Sequence, residues 1–440
     1  MTLRYLRSGA AGAATGVDWA NAYLTLAAAL TASAAGDTIY VSEDHAETQA
    51  SGMTLTSPGT AASPVRVICV NHSGTVPPVS ADLRTTATVS VTGSTVITFG
   101  GVSSDTEYEG ITFSAGSSNL ATRIDIATNN ISVSLKFKNC LLKLNSTSTG
   151  SIINVGGTST RGCFIALENT QLQFGSTAQS VVIAAAFVWR DTASALAGGT
   201  FPTTLFTNVS NGGGEADVAG VDLSAITGTI FGGGANSAAL RYIMRDCKVN
   251  ASATIGAAPT ARGTYKVDYI RADSGGTNYK QGRITYDGST KEETTIVRTG
   301  GATDGTTPLA WKIVTTANAS RHFPYETLPI AIWNDTTGSS ITATIEGIAA
   351  SLPNNDEIWI EVEYLGSSSS PKSSFVRTCP ADTLAAAAAV TTSSSSWGGS
   401  TSAFKLAATF TPQQKGWILV RVCAAKASAT FYIDPKITLT

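Results

Sequence analysis

The sequence predicts an all-β protein in three parts: an N-terminal segment with a capping helix, a parallel β-helix (solenoid), and a C-terminal antiparallel β-sandwich. Three observations predict this order. An amphipathic segment lies near the N-terminus, short strands alternate with turn-forming residues after it, and longer strands begin near residue 264. We place the parts at residues 1–36, 37–262 and 263–440. A chain of 440 residues is long enough for two or three domains.

One amphipathic helix is predicted over Asp18–Ala35. Asp18 is placed as its N-cap, Gly36 suits a left-handed helix end, and one stripe carries apolar side chains at helical spacing: Trp19, Ala22, Tyr23, Leu26, Ala29 and Leu30. Arg4 and Arg7 before an apolar stretch also resemble a secretory signal, but the periodicity favours a helix of the mature protein. The end of a β-helix exposes apolar side chains and strand edges, so we expect this helix to cover it.

A loose repeat follows the helix. The same short pattern recurs around turn-forming residues that are 29, 30, 53 and 24 positions apart: Gly110, Asn139, Asn169, Asp222 and Asp246. A coil of 24 to 30 residues suits one rung of a parallel β-solenoid, and 53 residues suit two rungs. Asn and Asp tolerate the left-handed backbone of stacked turns. In this scheme Cys140 and Cys247 point into the core.

The C-terminal part has a different strand pattern. In Glu357–Tyr364, apolar residues alternate with glutamates, as in an antiparallel strand that has one solvated face. About nine such strands predict a β-sandwich, jelly-roll-like in topology.

Composition limits the partners that the chain can have. Charged residues make up 14% of the chain, the net charge is −2 and the pI is near 6.0, which argues against a nucleic-acid partner. The longest apolar run, Val181–Trp189, is far shorter than the roughly 20 residues of a membrane span, so we expect no membrane partner. A surface of hydroxyls and small side chains suits contact with other protein, which predicts a homo-oligomer or a larger assembly.

The six cysteines show no zinc or disulfide spacing: Cys69, Cys140, Cys163, Cys247, Cys379 and Cys423. We interpret them as buried apolar residues of a chain that folds in a reducing cytoplasm.

Few residues point to catalysis. The densest polar cluster, Glu43–Glu47 around His45, allows a metal or acid–base site, but a solvated turn is favoured because residues adjacent in sequence rarely converge on one point. A glycosidase or lyase needs carboxylates on neighbouring rungs, and the candidate carboxylates are scattered: Asp125, Glu168, Asp191, Asp222 and Asp246. The nearby aromatics are expected to point inward: Phe113, Phe137, Phe164 and Phe174. We therefore predict no catalytic, cofactor-binding or metal-binding residue, no cofactor, and no enzymatic activity.

Three tryptophans are candidates for contact with a partner. Trp359 shares a strand face with glutamates, and Trp333 and Trp397 lie near loop-like segments. Exposed aromatics of this kind either stack on sugar rings or anchor a subunit interface, and the interface is favoured.

Several segments resemble right-handed parallel β-helix virion proteins of tailed bacteriophages. The segments that carry the resemblance are 16–41 near the N-terminus and, later in the chain, 293–298, 355–359 and 431–436. The resemblance implies a right-handed β-helix in a virion component that forms a homotrimer. Tail spikes of that group usually carry an anchoring domain before the β-helix, whereas here the helix begins almost at Met1, which favours a head-surface role.

The predicted function is therefore that of a non-enzymatic structural protein on the exterior of a tailed phage virion, a capsid decoration or cement protein. The alternative is a tail spike or tail fibre that binds, and in some cases cleaves, a host surface glycan. The expected partners are further copies of the chain and the major capsid protein or other virion proteins. The expected location is the virion, assembled in the host cytoplasm. A secreted adhesin ranks third.

Overall fold

The computed structural model describes residues 2–101, 104–128, 132–157, 162–208, 214–232, 240–250, 252–257, 264–273, 279–287, 290–297, 310–315, 330–354, 357–366, 374–377, 390–392, 403–412, 415–424, 426, 428–434 and 437–440. The chain divides into two compact units, Met1–Val267 with Arg271–Gly276, and Asp268–Ile270 with Thr277–Thr440. The predicted boundaries after residues 36 and 262 stay predictions. Within the described ranges, no helix has both the length and the apolar character that crossing a membrane requires.

The first unit consists almost entirely of short strands. In chain order its elements are β1 (Leu3–Leu6), α1 (Leu26–Thr31), β2 (Thr38–Ser42), β3 (Ala46–Gln49), β4 (Met53–Leu55), β5 (Val65–Val70), a 3₁₀ helix (Ser80–Asp82), β6 (Ala87–Val91), β7 (Val96–Phe99), β8 (Thr106–Glu109), β9 (Ile111–Ala115), β10 (Arg123–Ile126), β11 (Ser134–Lys138), β12 (Leu141–Leu144), β13 (Ile152–Val155), β14 (Phe164–Glu168), β15 (Gln171–Gln173), β16 (Ser180–Ile183), β17 (Ala186–Thr192), β18 (Leu196–Ala197), β19 (Thr204–Asn208), β20 (Gly214–Leu223), β21 (Thr229–Phe231), β22 (Leu240–Val249) and β23 (Thr254–Gly256).

These strands form three parallel sheets, as a β-helix requires. The first sheet holds β1, β2, β5, β8, β11, β14, β17, β20 and β22; the second holds β3, β6, β9, β12, β15 and β18; the third holds β4, β7, β10, β13, β16, β19, β21 and β23. Neighbouring coils stack in register, so that Lys138 lies beside Glu109 of the coil before it and Glu168 of the coil after it. The predicted parallel β-helix is confirmed at this level, and its handedness stays a prediction.

Aromatic side chains fill much of the space between the three sheets. One group of rings meets mainly edge to face, with centroids 4.8 to 6.1 Å apart: Phe99, Tyr108, Phe113 and Phe137. A second group lies further along the coil: Phe187, Trp189, Phe206, Phe231 and Tyr242. Cys140 and Cys247 are buried as predicted, and burial raises the pKa of their thiols to about 12 and about 11. Both thiols therefore stay protonated near neutral pH.

The turns after the first sheet confirm the repeat at four of its five predicted positions. Left-handed φ angles occur at predicted residues and at two further ones: Gly110, Asn139, Asn169, Asp191, Gly220 and Asp246. The prediction for Asp222 is wrong, because its φ angle is not left-handed and Gly220, two residues earlier in β20, makes the left-handed turn of that coil. Asp191 makes the left-handed turn of the additional coil that lies within the 53-residue interval between Asn169 and Asp222. Asn139 and Asn169 also stack, since Nδ2 of Asn169 donates to Oδ1 of Asn139 at 2.8 Å.

The predicted helix Asp18–Ala35 is wrong in extent, because only Leu26–Thr31 is helical. Asp18 accepts a hydrogen bond from the Asn21 amide at 2.7 Å and closes a turn instead of capping a helix. The backbone of Tyr23 pairs with β1, which holds the preceding segment extended. The true N-cap is Thr25, whose hydroxyl accepts from an amide three residues on. The predicted stripe is buried at Leu26, Ala29 and Leu30.

The second unit is antiparallel. β24 (Thr264–Asp273) is divided between the two units. The strands that follow it along the chain are β25 (Tyr279–Asp287), β26 (Thr290–Val297), β27 (Ala310–Thr315), β28 (Ile330–Asn334), β29 (Ile341–Ala349), β30 (Ile358–Gly366), β31 (Ser374–Arg377), β32 (Val390–Thr392), β33 (Ala403–Phe410), β34 (Gly416–Ala424), β35 (Thr430–Ile433) and β36 (Thr438–Leu439). One sheet runs β25-β26-β27-β35-β29-β33-β32, with β36 also on β29. The other runs β28-β34-β30-β31.

One hydrophobic cluster joins these two sheets. Ile345 and Phe404 contribute from the larger sheet, and Ile360 and Val420 contribute from the four-stranded sheet. Alternation among the described side chains of β30 and β34 sends every second one into this core. The C-terminal antiparallel region is therefore confirmed, whereas its jelly-roll topology stays a prediction.

Candidate functional site

The outer side of the first sheet carries charges of alternating sign. In β8 the side chain of Tyr108 is buried, so Glu107 and Glu109 on either side of it point outward. In β11 the same alternation turns Lys136 and Lys138 outward. Parallel pairing in register then places Glu107 beside Lys136 and Glu109 beside Lys138. Acidic and basic side chains therefore face one another across neighbouring coils.

We call this surface the charged face. It comprises eleven outward side chains on seven strands: Arg66, Glu107, Glu109, Lys136, Lys138, Glu168, Arg190, Glu215, Asp217, Arg241 and Arg245. The whole chain has only 29 basic and 31 acidic residues, so this one surface holds a large share of a sparse charge.

Ion pairs connect the charged face from coil to coil. The pairs and their N–O distances are Arg66–Glu107 at 3.4 Å, Lys138–Glu109 at 3.1 Å, Lys136–Glu168 at 2.7 Å, Arg190–Asp217 at 2.7 Å, Arg245–Asp217 at 2.5 Å and Arg241–Glu215 at 3.5 Å. The hydrogen bond to the Glu168 carboxylate raises the pKa of the Lys136 ammonium, which therefore remains a cation. Partly exposed pairs of this kind stabilise a fold by only about 0 to 1 kcal/mol each. Stability alone gives little reason for this concentration of charge.

An open depression of about 100 Å³ lies on the charged face. Its lining is Arg66, Ile68, Glu107, Tyr108, Glu109, Lys136 and Lys138. Glu107 and Glu109 stand two residues apart on one strand, which separates their Cα atoms by roughly 7 Å. Inverting glycoside hydrolases use two carboxyl groups, of which one acts as acid and the other activates water. The depression thus offers both hydrogen-bonding groups and a carboxylate pair.

Apolar side chains lie on the outer face at the start of β14 and β17. Phe164 begins β14 and is 44% exposed, so the prediction that it points inward is wrong. Ile165 and Leu167 take the inward positions of that strand, and alternation turns Phe164 out. The register sets Phe164 beside Ala186 and Ala166 beside Val188, on the same outer face. One exposed aromatic ring with small neighbours thus lies between the two groups of ion pairs.

The asparagine stack borders the charged face and fixes one of its carboxylates. Nδ2 of Asn139 donates to Oε1 of Glu109 at 3.3 Å, and Asn139 in turn accepts from Asn169. Glu109 therefore has two partners, Asn139 and Lys138, on the coil that follows it.

The Glu43–Glu47 cluster is not the simple solvated turn that we expected. Asp44 does lie near the surface, where Arg7 donates to it at 2.7 Å and lowers its carboxyl pKa to about 2. His45 and Glu47, however, are buried, with His45 Nε2 3.6 Å from Glu47 Oε2. Inward alternation at the start of β3 causes this burial. Within the described ranges, no three His, Cys, Asp or Glu side chains are grouped so that they can hold a metal ion.

The five scattered carboxylates lie at different places on the β-helix. Only Glu168 belongs to the charged face. Asp125 lies on the third sheet and accepts from Asn154 at 2.6 Å, and Asp222 pairs with Lys248 at 3.1 Å. Asp191 and Asp246 serve as left-handed turn residues.

The sequence analysis missed most of the charged face. Its signal was present, because the strands Thr106–Glu109 and Ser134–Lys138 both alternate charged with apolar residues. Their 29-residue offset then pairs acid with base, but only after the coil register is known.

The predicted tryptophans lie in different surroundings. Trp333 is 45% exposed and meets Trp417, which the sequence analysis missed, with ring centroids 5.5 Å apart. Trp359 is only 1% exposed and packs with Cys423, which contradicts its expected exposure. Alternation puts Trp359 on the face of its sheet that is opposite the core, but the side chain is buried there as well. Trp397 lies outside the described residues.

Comparison with known proteins finds a structural likeness alone. No family model matches the chain, and no curated protein does. Among solved structures, the enzymatically active domain of tailspike protein 4 from bacteriophage CBA120 is similar at 10% identity, with a TM-score of 0.24, over 96% of this chain and 67% of that chain. A likeness this low transfers no residue role to this chain.

Two predictions are corrected by this comparison. The neighbour is described as enzymatically active, and the prediction that this chain is not an enzyme is withdrawn. The neighbour is also described as a tailspike, and the comparisons give no support to the capsid-decoration prediction. The sequence analysis set catalysis aside because its candidate carboxylates were scattered, and it did not consider Glu107 and Glu109, which line the depression.

Proposed function

We propose that this protein is a tail spike or tail fibre component of a tailed phage that binds a host surface glycan on the charged face of its β-helix. The observation that carries the proposal is the depression between Arg66, Glu107, Glu109, Lys136 and Lys138.

The chemistry of the charged face matches a polyhydroxylated ligand. Each sugar hydroxyl both donates and accepts hydrogen bonds, and the face offers carboxylate acceptors beside ammonium and guanidinium donors at every coil from β5 to β11. A nucleic acid requires one continuous sign of charge, which alternation of acid and base does not provide. The exposed ring of Phe164 adds an apolar surface on which a sugar face can stack.

Glycan cleavage is the second candidate activity, and Glu107 and Glu109 favour it. Both line one depression, and a glycoside hydrolase uses two carboxyl groups, one that protonates the glycosidic oxygen and one that activates water. Arg66 and Lys138 hold the two carboxylates in the free protein. Bound sugar hydroxyls would replace these partners before either carboxylate could transfer a proton.

The remaining features of the proposal concern assembly. The chain acts as part of the virion, as a homotrimer, with a right-handed coil. Helix α1, which buries Leu26, Ala29 and Leu30, is the lid over the first rung, and the second unit has a jelly-roll topology. Trp333 contacts a partner or a glycan. The polar, low-charge outer surface supports close contact between copies.

A binding and cleavage assay tests the proposed function. Purified protein is incubated with a panel of bacterial capsular and O-antigen polysaccharides, and both binding and new reducing ends are measured. We expect binding to at least one polysaccharide, and a loss of at least tenfold in affinity for the combined variant Glu107→Gln/Glu109→Gln. Arg123→Gln is the control, because Arg123 is an exposed arginine of the third sheet, paired with Asp125.

The outcomes separate the two activities. Binding without new reducing ends supports a receptor-binding spike and removes the hydrolase. No binding to any polysaccharide, or equal binding by the unaltered and the glutamine variants, contradicts the proposed function.

A further inference from the structure

An exposed pair of aromatic side chains lies in the C-terminal unit, on strands that do not belong to the charged face. Trp333 on β28 and Trp417 on β34 are directly opposite each other in the antiparallel register. Their rings meet edge to face, with an interplanar angle of 80°. Trp333 is 45% and Trp417 is 49% exposed. Large side chains on the solvent side of a sheet lose apolar burial, so a pair at facing positions calls for a reason.

The pair is held in place and flanked by charge. The indole Nε1 of Trp333 donates to Oδ1 of Asp335 at 3.0 Å. The same carboxylate oxygen lies 3.8 Å from the ammonium of Lys415. The side chains of Asp335 and Lys415 are 74% and 62% exposed, so both can also bond a ligand. A fixed indole with one carboxylate and one ammonium beside it forms a small surface of balanced charge.

The area of this surface indicates the size of its occupant. A tryptophan side chain offers at most about 250 Å², so two half-exposed rings present on the order of 200 Å². A stable interface between two protein copies needs about 800 Å² on each side. The residues that follow Trp333 on the chain are exposed and polar from Asp335 to Ser340, and they do not extend the apolar area.

We propose that Trp333 and Trp417 form a carbohydrate-binding site for a neutral hexopyranose unit of a glycan. The apolar face of the sugar ring stacks on the indoles, and its hydroxyls bond the Asp335 carboxylate and the Lys415 ammonium. Neutral sugar is favoured over an anionic or cationic ligand because these two charges compensate each other. The buried Trp359, on the same sheet, takes no part.

Native gels that contain a soluble polysaccharide test the proposal. Dextran, mannan and galactan serve as three neutral probes, and retardation of the full chain measures its affinity for each. We expect retardation by at least one probe and a loss of at least tenfold in affinity for Trp333→Ala and for Trp417→Ala. Leu352→Ala is the matched control, since Leu352 is a 44% exposed apolar side chain of the same unit, and we expect its affinity to stay within twofold.

Two further readouts keep the test decisive. Tryptophan fluorescence should shift with the bound probe in the unaltered chain and not in the double alanine variant. Sedimentation of that variant should match the unaltered chain, because a change in oligomeric state would mean that the pair is an interface between copies. No retardation by any probe, or equal retardation of the alanine variants, also overturns the proposal.

The test of this site is independent of the test of the charged face. Glu107→Gln/Glu109→Gln changes only the β-helix, so this variant should keep the retardation that depends on Trp333 and Trp417.

Discussion

Reversing the charge at one position of the charged face should destabilise the β-helix through its neighbours. In the register of the first sheet, Lys138 stands between Glu109 and Glu168. Its ammonium lies 3.1 Å from Oε1 of Glu109. Lys138→Glu removes this pair and sets three carboxylates side by side on strands that are about 4.8 Å apart.

The magnitude follows from these contacts. The lost pair is partly exposed and contributes about 0 to 1 kcal/mol. Each of the two new like-charge contacts costs about 0.2 to 1 kcal/mol, so the free energy of unfolding should fall by about 0.4 to 3 kcal/mol. In a unit of this size, each kcal/mol lowers the midpoint of thermal unfolding by about 2 to 4 °C.

Thermal unfolding at low and high salt measures the effect. Lys143→Glu is the matched control, because Lys143 lies on β12 of the same coil between Ser114 and Gln173, which carry no charge. Both variants change the net charge equally, yet only Lys138→Glu should lose stability, and salt at about 1 M should recover most of the loss by screening. Equal midpoints for the two variants, or a loss of stability that salt does not reduce, would refute the prediction that Lys138 is stabilised by the carboxylates of neighbouring coils.

Three other predictions follow from the turns and the first rungs. Gly110→Ala should lower the free energy of unfolding, measured by urea titration, by at least about 2 kcal/mol, because φ is +77° and the new Cβ would collide with the carbonyl oxygen of Arg84. Gly93→Ala is the control: φ is +68° but the space around it is open, so the variant should lose only about 1 kcal/mol. Asn169→Ala should cost about 1 to 2 kcal/mol in the same titration, since it loses a stacked hydrogen bond at a left-handed residue. The carboxyl pKa of Asp44 is lowered from 3.8 to about 2, so its ion pair with Arg7 stabilises the fold fully above about pH 4 and this stabilisation is lost as the pH falls through 2. In Arg7→Gln, the midpoint of thermal unfolding should therefore fall less between about pH 4 and pH 2 than it does in the unaltered protein. An unchanged acid profile would exclude that pair as a source of stability.

The coil of the β-helix was readable from the sequence because its turns require unusual backbone angles. Asn139, Asn169 and Asp246 take left-handed φ angles, which few side chains tolerate, so their recurrence marks the rungs. Glycine also takes left-handed angles, but the chain has 42 glycines, so a single one such as Gly220 did not mark a turn in the sequence. Asp222, two residues later in the same strand, was taken in its place.

Features that depend on the tertiary structure were harder to predict. Alternation assigns a side chain to one face of a sheet, but it does not reveal whether that face is covered, so buried Trp359 and exposed Trp333 looked alike in sequence. The start of the helix was misplaced because Tyr23 pairs with β1, a long-range contact that overrides helical periodicity. Glu107 and Lys136 become neighbours only once the 29-residue coil is closed.

Carboxyl footprinting with mass spectrometry tests the central claim most directly, that the charged face binds a glycan. The unaltered protein is labelled with and without a bacterial surface polysaccharide that it binds, and the extent of labelling is compared residue by residue. The proposal predicts that the polysaccharide reduces labelling of Glu107 and Glu109 and leaves Asp125, on the third sheet, unchanged. Unchanged labelling of Glu107 and Glu109 under saturating polysaccharide would contradict it.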